Sequence, residues 1–346
     1  MKLGYGLITC QAHPDDKRSE QVRYLDAIEL AVEAENLGFD SVWVSEHHFL
    51  DDGYLPSVLP MCAAIAAKTS RITIGTAVAL APLYDPLRLA EDAACVDLIA
   101  QGRLILGLGQ GWRAEEFDAF RVPLKQRPHL LEDSILTLRQ AWSDGVTTGG
   151  TVLKYPQLNV RPKPARVEGI PVWIGASAER AIRRAGRLAD GYIASGGFTE
   201  PFTPDELRKQ LSWILEELAA AGRSSENFSA SMFLPTFVSR DTDAWQQFRE
   251  HMYYTYWKYE DMSSARSRVE ALQRAPQLSE EHAAKLRPYA IVGTPEQVRD
   301  DLRKYEEAAG EMDFHYIARL DWPGMDINHQ RESVRLFANE VIPGVR

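Results

Sequence analysis

The chain has 346 residues, 45% of them hydrophobic and 25% charged, with a formal net charge of -10, the composition of a globular protein able to bury a sizeable core. An acidic balance without any basic stripe argues against nucleic acid as a partner, because phosphate binding needs clustered Lys and Arg. No stretch approaches the ~18 uninterrupted apolar residues of a membrane span, and the apolar run at the N-terminus is too short for a signal peptide, so a cytoplasmic protein is expected.

Leu3 to Thr9 reads as a first strand. A helix is predicted from about Glu20, capped by Ser19 and ended by Gly38, with Val22, Leu25, Ile28 and Val32 along one face. Ser41 to Ser45 is a second strand, Pro60 to Lys68 an alanine-rich helix and Ile72 to Val78 a third strand. Asp85 caps the next helix, with Pro86 at its first position, and Leu104 to Leu108 is the fourth strand. A longer excursion follows, with a helix near His129 to Trp142 and a hairpin around Val152 to Leu158. Pro171 to Ile174 is strand five, Ala178 to Leu188 its helix, and Gly191 to Ile193 strand six. A helix from Pro204 to Ala221 leads to strand seven, Ser229 to Val238. A helix near Thr242 to Tyr259 and a polar segment, Ser263 to Arg287, precede a capping box at Thr294-Pro295-Glu296-Gln297. Phe314 to Ala318 is the last strand and Gln330 to Val341 a closing helix. Strands and helices alternate about eight times with no linker between, which predicts one α/β domain over 1–346. The expected fold is a (β/α)8 TIM barrel with insertions after strand four and strand seven.

In such a barrel the carboxyl ends of the strands face the ligand. Strand two ends in Ser45-Glu46-His47-His48-Phe49, a cluster able to carry protons. Period-two alternation lets only one of the two imidazoles point inward while the strand persists. The other strand ends offer Thr76, Gly109, Ser177 and Ser195, none a good zinc ligand, so no metal is expected. The small-residue turns Gly107 to Trp112 and Gly175-Ala176-Ser177 either make tight barrel turns or let backbone approach a ligand. Ser177, as cap of a helix beginning at Ala178, could face an anion. Their spacing is not that of a nicotinamide-binding glycine motif. Cys10, Cys62 and Cys95 read as buried thiols. The aromatic cluster Tyr253 to Trp257 is either outer core packing or an apolar wall, and the polar segment after it either a solvated excursion or a lid.

In order and spacing, these pieces resemble the bacterial luciferase-like, flavin-dependent monooxygenase family. The match runs from Lys2 to Pro343 and is carried by Gly38 to Phe49, Ile74 to Val78, Asp85 to Asp92, Gly102-Arg103-Leu104, Pro171 to Gly175 and Val292 to Glu296. The resemblance implies reduced FMN at the carboxyl ends of the strands, supplied by a separate flavin reductase. O2 would react at flavin C4a to give a hydroperoxide that oxygenates a small, largely apolar organic substrate. It assigns acid–base catalysis to His47 and a non-proline cis peptide beneath the flavin to Ala77-Val78. The phosphate-side turns become Gln110-Gly111-Trp112 and Gly175-Ala176-Ser177. Phe49, Tyr84, Tyr253, Trp112 and Trp257 are candidates to line the substrate pocket, and a homodimer is expected. Where luciferase has a cysteine and then an arginine, this chain has Gly109 and Gln110, which leaves Ser177 and backbone amides to do more at the phosphate, with Arg113 and Arg180 as candidate substitutes for the arginine. That departure keeps open a deazaflavin cofactor and hydride transfer on the same barrel. A non-catalytic flavin-binding or partner subunit is the alternative of another class.

Overall fold

In the computed structural model, which describes residues 1–195, 200–263 and 272–346, eight parallel strands close on themselves. In chain order the strands are β1 (Lys2–Ile8), β2 (Ser41–Val44), β3 (Thr73–Thr76), β4 (Ala79–Leu80), β5 (Leu104–Gly109), β6 (Thr147–Gly149), β7 (Lys154–Leu158), β8 (Val172–Ala176), β9 (Gly191–Ser195), β10 (Ser229–Val238), β11 (Ile291–Gly293) and β12 (Asp313–Arg319). The barrel is built from β1, β2, β3, β5, β8, β9, β10 and β12, and β10 closes it by pairing with both β9 and β12. β6 and β7 form an antiparallel hairpin after the fourth barrel strand, and β11 adds to the upper end of β10. The fold is a (β/α)8 barrel with insertions after its fourth and seventh strands.

Helices α1 (Glu20–Asn36), α2 (Val58–Lys68), α3 (Pro86–Ile99), α4 (Ala114–Ala119), α5 (Arg127–Trp142), α6 (Glu179–Leu188), α7 (Pro204–Ala220), α8 (Ala244–Ser263), α9 (Glu280–Leu286), α10 (Pro295–Ala309) and α11 (Ile327–Leu336) link the strands. Their starts follow from local chemistry. The Ser19 hydroxyl accepts from the Val22 amide, Asp85 accepts from the amides of Leu87 and Arg88, and Thr294 and Gln297 cap each other's backbone in a full capping box.

Strand alternation sorts side chains into two cores. Leu7, Trp43, Ala77, Ile105, Trp173, Ile193 and Ile317 fill the barrel interior, while a much larger shell lies between strands and helices. Trp43 and Trp173 meet at 5.3 Å across the interior. Trp43 fits only because Gly75 lies beneath it: a Cβ there would stand 2.2 Å from the indole.

Several expectations need correction. α1 buries Arg23, Ala27, Leu30, Ala31 and Ala34, while Val22 and Leu25 are exposed; alanines let the helix approach the sheet more closely than larger side chains would. Ala178, not Ser177, occupies the N-cap position of α6. Cys10 and Cys62 are buried, but Cys95 is exposed. The polar segment expected over Ser263 to Arg287 contains α9, and residues 264–271 of it lie outside the described residues. Among the described residues no helix is long and apolar enough to cross a membrane.

Candidate active site

β2 carries Trp43 into the barrel and ends at Val44, and the chain then turns through Glu46, His47 and His48 at the carboxyl mouth. The two imidazoles are held by two different carboxylates. Glu46, 1% exposed, takes His48 Nε2 at 2.8 Å on Oε1, while its Oε2 accepts from the Tyr84 hydroxyl (2.8 Å) and the Leu80 amide (3.3 Å). His47 Nδ1 lies 2.9 Å from Oε1 of Glu116, which also accepts from the His48 amide at 3.0 Å. Arg113 Nη1 donates to the His48 carbonyl at 2.6 Å and lies 3.8 Å from the same Glu116 oxygen. Burial alone would push the Glu116 carboxyl up. Hydrogen bonding and charge from His47, the His48 amide and the Arg113 guanidinium outweigh it and hold the carboxyl below its ordinary value. An ionised Glu116 makes Nδ1 of His47 the protonated nitrogen and leaves Nε2 to exchange protons at the mouth. Glu116 Oε2 is buried with no hydrogen-bond partner.

Aromatic rings enclose His47. Tyr54 meets it edge-on at 4.9 Å, Trp112 and Tyr259 at 5.9 Å. The Tyr54 hydroxyl donates to Ser45 Oγ at 3.0 Å and lies 3.0 Å from the Tyr259 hydroxyl. Next to Tyr259, the fully buried Lys258 ammonium pairs with Asp51, which fastens α8 over the loop after β2. Tyr259 is thus the α8 ring that reaches His47. Tyr253 instead meets His282 at 5.0 Å within a satellite core that includes Leu278 and Ala283, and Trp257 lies against Tyr254 and Lys258. Phe49 is exposed and stacks obliquely on Phe120 at 5.4 Å.

On the neighbouring strand, just past the end of β3, the peptide Ala77-Val78 is cis, as is Gly6-Leu7. The Val78 side chain spreads over two neighbouring strands: a Cβ on Gly109 would come within 2.4 Å of its Cγ2, and one on Gly175 within 2.6 Å of its Cγ1. Glycine at both positions is what lets Val78 lie across the mouth. Gly111 has φ +70°, where a Cβ would also strike the Phe117 ring at 2.8 Å. Gln110 and Gly111 are half-buried beside the exposed Trp112, Gly175 and Ala176 are half-buried, and Ser177 is exposed where α6 begins. Of the two arginines considered for a phosphate, Arg113 is 2% exposed and engaged with His48 and Glu116, whereas Arg180 is exposed on the first turn of α6. The structure therefore brings His47, Tyr84, Val78 and Trp112 to one end of the barrel and leaves Tyr253 away from His47.

Glu116, Tyr54 and Tyr259 were not identified from the sequence. For Glu116 the available signal was an acidic pair following the glycine turn of strand four, on a helix too short to show periodicity.

The sequence profile of the luciferase-like monooxygenase family matches residues 1–312. The F420-dependent glucose-6-phosphate dehydrogenase of Kribbella flavida is 30% identical over 339 residues, 95% of this chain and 96% of the relative. The oxygenase component of the flavin-dependent trigonelline monooxygenase of Acinetobacter baylyi is 22% identical over 354 residues, 99% of this chain and 95% of the relative. Among solved structures, monooxygenase RslO1 from Streptomyces bottropensis superimposes with a TM-score of 0.83 at 24% identity, with full coverage of both chains. The chain belongs to the luciferase-like monooxygenase family.

Proposed function

We propose that this protein uses reduced FMN and O2 to oxygenate a small, largely apolar organic substrate, the reduced FMN arriving from a separate flavin reductase. The observation that carries this reading is the enclosure of one proton-exchanging pair: His47, 6% exposed, bound to a buried carboxylate and ringed by Tyr54, Trp112 and Tyr259. Oxygen transfer from a reduced flavin needs a dry pocket with a controlled proton source, and the aromatic rings around His47 and its bond to Glu116 support that reading.

The residues present fit a flavin. Gly109 and Gly175 clear a cradle in which Val78 is the platform. The backbone of Gly175 to Ser177 and the exposed Arg180 stand where α6 begins, a setting suited to a phosphate. When bound, FMN would supply the two electrons that activate O2. His47 Nε2 holds or delivers the proton, Glu116 fixes the tautomer and orientation of the ring, and Glu46 anchors the neighbouring His48 ring. Tyr54, Trp112 and Tyr259 exclude water and bound the substrate.

A second reading, hydride transfer to a deazaflavin, is favoured by the 30% identity to an F420-dependent dehydrogenase over 95% of the chain. Equilibrium titration with FMN and with F420, followed by turnover under isotopically labelled dioxygen, separates the two. Label in the product with FMN supports oxygenation. F420 reduction with no need for O2 replaces it. Binding of a flavin with no turnover of any substrate, unaltered by His47→Ala, would point to a non-catalytic subunit.

A further inference from the structure

Arg319 is the last residue of β12, and its neighbours on that strand fix its direction. His315 meets Trp173 edge-on at 5.0 Å and Ile317 belongs to the interior cluster, whereas Phe314, Tyr316 and Ala318 face the outer core. Alternation then aims Arg319 into the barrel one layer above Ile317, at the carboxyl mouth. Across the sheet it stands beside Gly6 and Pro235, whose side chains offer no acceptor. The residue is 4% exposed, and Nε and Nη2 have no hydrogen-bond partner. The guanidinium lies 4.9 Å from the centre of the Trp322 ring, a cation–π contact that holds its face but accepts none of its protons. Its charge is felt by Tyr54 and Tyr256, and Tyr54 is the ring that touches His47. The half-buried Asp321 also lies within electrostatic range, but desolvation pushes that carboxyl up and its Oδ1 is taken by Gln330 Nε2 at 3.0 Å.

A buried cation with two unmet donors is costly unless something completes it. The two free donors, Nε and Nη2, lie on one edge of the guanidinium and form a planar fork, the geometry that receives two oxygens of one anion. We propose that Arg319 is a substrate-binding residue that takes an oxyanion of the substrate (carboxylate, sulfonate or phosphate) on this fork, placing the reacting part of the molecule beside His47. This deepens the reading above and rests on the mouth being the site of turnover. The substrate class becomes an organic molecule with one anionic end and an apolar body facing Tyr54, Trp112 and Tyr259. The requirement holds whether the body is an oxygenation substrate or a hydride donor.

Calorimetric titration of hexanoate, hexanesulfonate, hexyl phosphate and hexanol into the flavin-loaded protein tests it, using wild type, Arg319→Met and Arg319→Lys. Wild type is expected to bind at least one of the anions about ten-fold or more tighter than hexanol, the return of a charge-assisted pair. Arg319→Met should lose that preference while keeping its flavin affinity, and Arg319→Lys should keep part of it. Equal affinity of wild type for anions and hexanol overturns the proposal without any variant, as does undiminished anion preference in Arg319→Met. A loss confined to flavin affinity in Arg319→Met assigns the residue to the cofactor and also overturns it. Failure of wild type to bind any flavin sinks the broader reading instead, and is seen separately in the loading step.

Discussion

Glu116 and His47 are 69 residues apart in sequence, yet a carboxylate oxygen of one lies 2.9 Å from Nδ1 of the other. The contact depends on two strands ending at the same level: β2 delivers the imidazole, and the turn after β5 delivers α4. The same oxygen also accepts from the His48 amide, so Glu116 fixes the backbone of the motif as well as its ring. Two carboxylates thus serve two adjacent imidazoles, Glu46 through Nε2 of His48 and Glu116 through Nδ1 of His47.

Glu116→Gln should lower kcat by roughly 10- to 150-fold, the equivalent of the ~1.5–3 kcal/mol of a hydrogen bond to a charged group, with little change in KM. His47→Ala should lower it further, by about 10²–10⁴-fold. The pair acts as a unit, so the double variant should be no worse than His47→Ala alone. Steady-state kinetics across pH would check this, and additive losses would mean that Glu116 does not act through His47.

Val78 and the two glycines beneath it offer a test of the cradle. Gly175→Ala would place a methyl carbon 2.6 Å from Val78 Cγ1, and overpacking of this kind costs about 1–3 kcal/mol. Flavin affinity or thermal stability should fall accordingly. Adding Val78→Ala, which removes the atoms struck, should restore most of the loss. No rescue in the double variant would mean that the clash lies elsewhere.

What could be read from the sequence was whatever local chemistry decides. The caps at Ser19, Asp85 and Thr294 act over three residues, and the eight alternations of pattern follow from each strand needing its own helix. The Glu46-His47-His48 cluster was visible because it is contiguous and ends a strand. Glu116, Tyr54, Tyr259 and Arg319 were not, because each matters only through a partner on another element. Period alone also misplaced α1: Val22, Leu25, Ile28 and Val32 look like a buried stripe, but close packing against the sheet selected Ala27, Ala31 and Ala34 instead. Tyr253 shows the same limit, since a run of aromatic residues on α8 does not reveal which one reaches the mouth.

The hydroxyl contact between Tyr54 and Tyr259 joins the loop after β2 to α8. Tyr259→Phe removes that bond but leaves Tyr54 donating to Ser45, so the cost should be about 0.5–1.5 kcal/mol. Tyr54→Phe breaks both bonds and should cost more. The double-mutant cycle in urea should give a coupling of about 0.5–1.5 kcal/mol. A coupling of zero would mean that α8 does not dock over His47 in this way.

The pH dependence of stability provides a further check on Glu116, because its sign is fixed. A carboxyl held below its ordinary value in the folded protein contributes stability that is fully present above the unfolded value, near 4.5, and is lost as pH falls through the folded one. Wild type should therefore exceed Glu116→Gln in unfolding free energy by about 1.5–3 kcal/mol at neutral pH. The gap should persist down to about pH 5 and narrow below it. Had burial prevailed over His47, the His48 amide and Arg113, Glu116 would be protonated at the top of this range, and its contribution would grow as the solution became more acidic. Urea melts of the two proteins at pH 7, 5 and 4 distinguish the cases: a gap that widens in acid would show that the carboxyl is not held ionised, and the assignment of Nε2 as the exchanging nitrogen of His47 would fall with it.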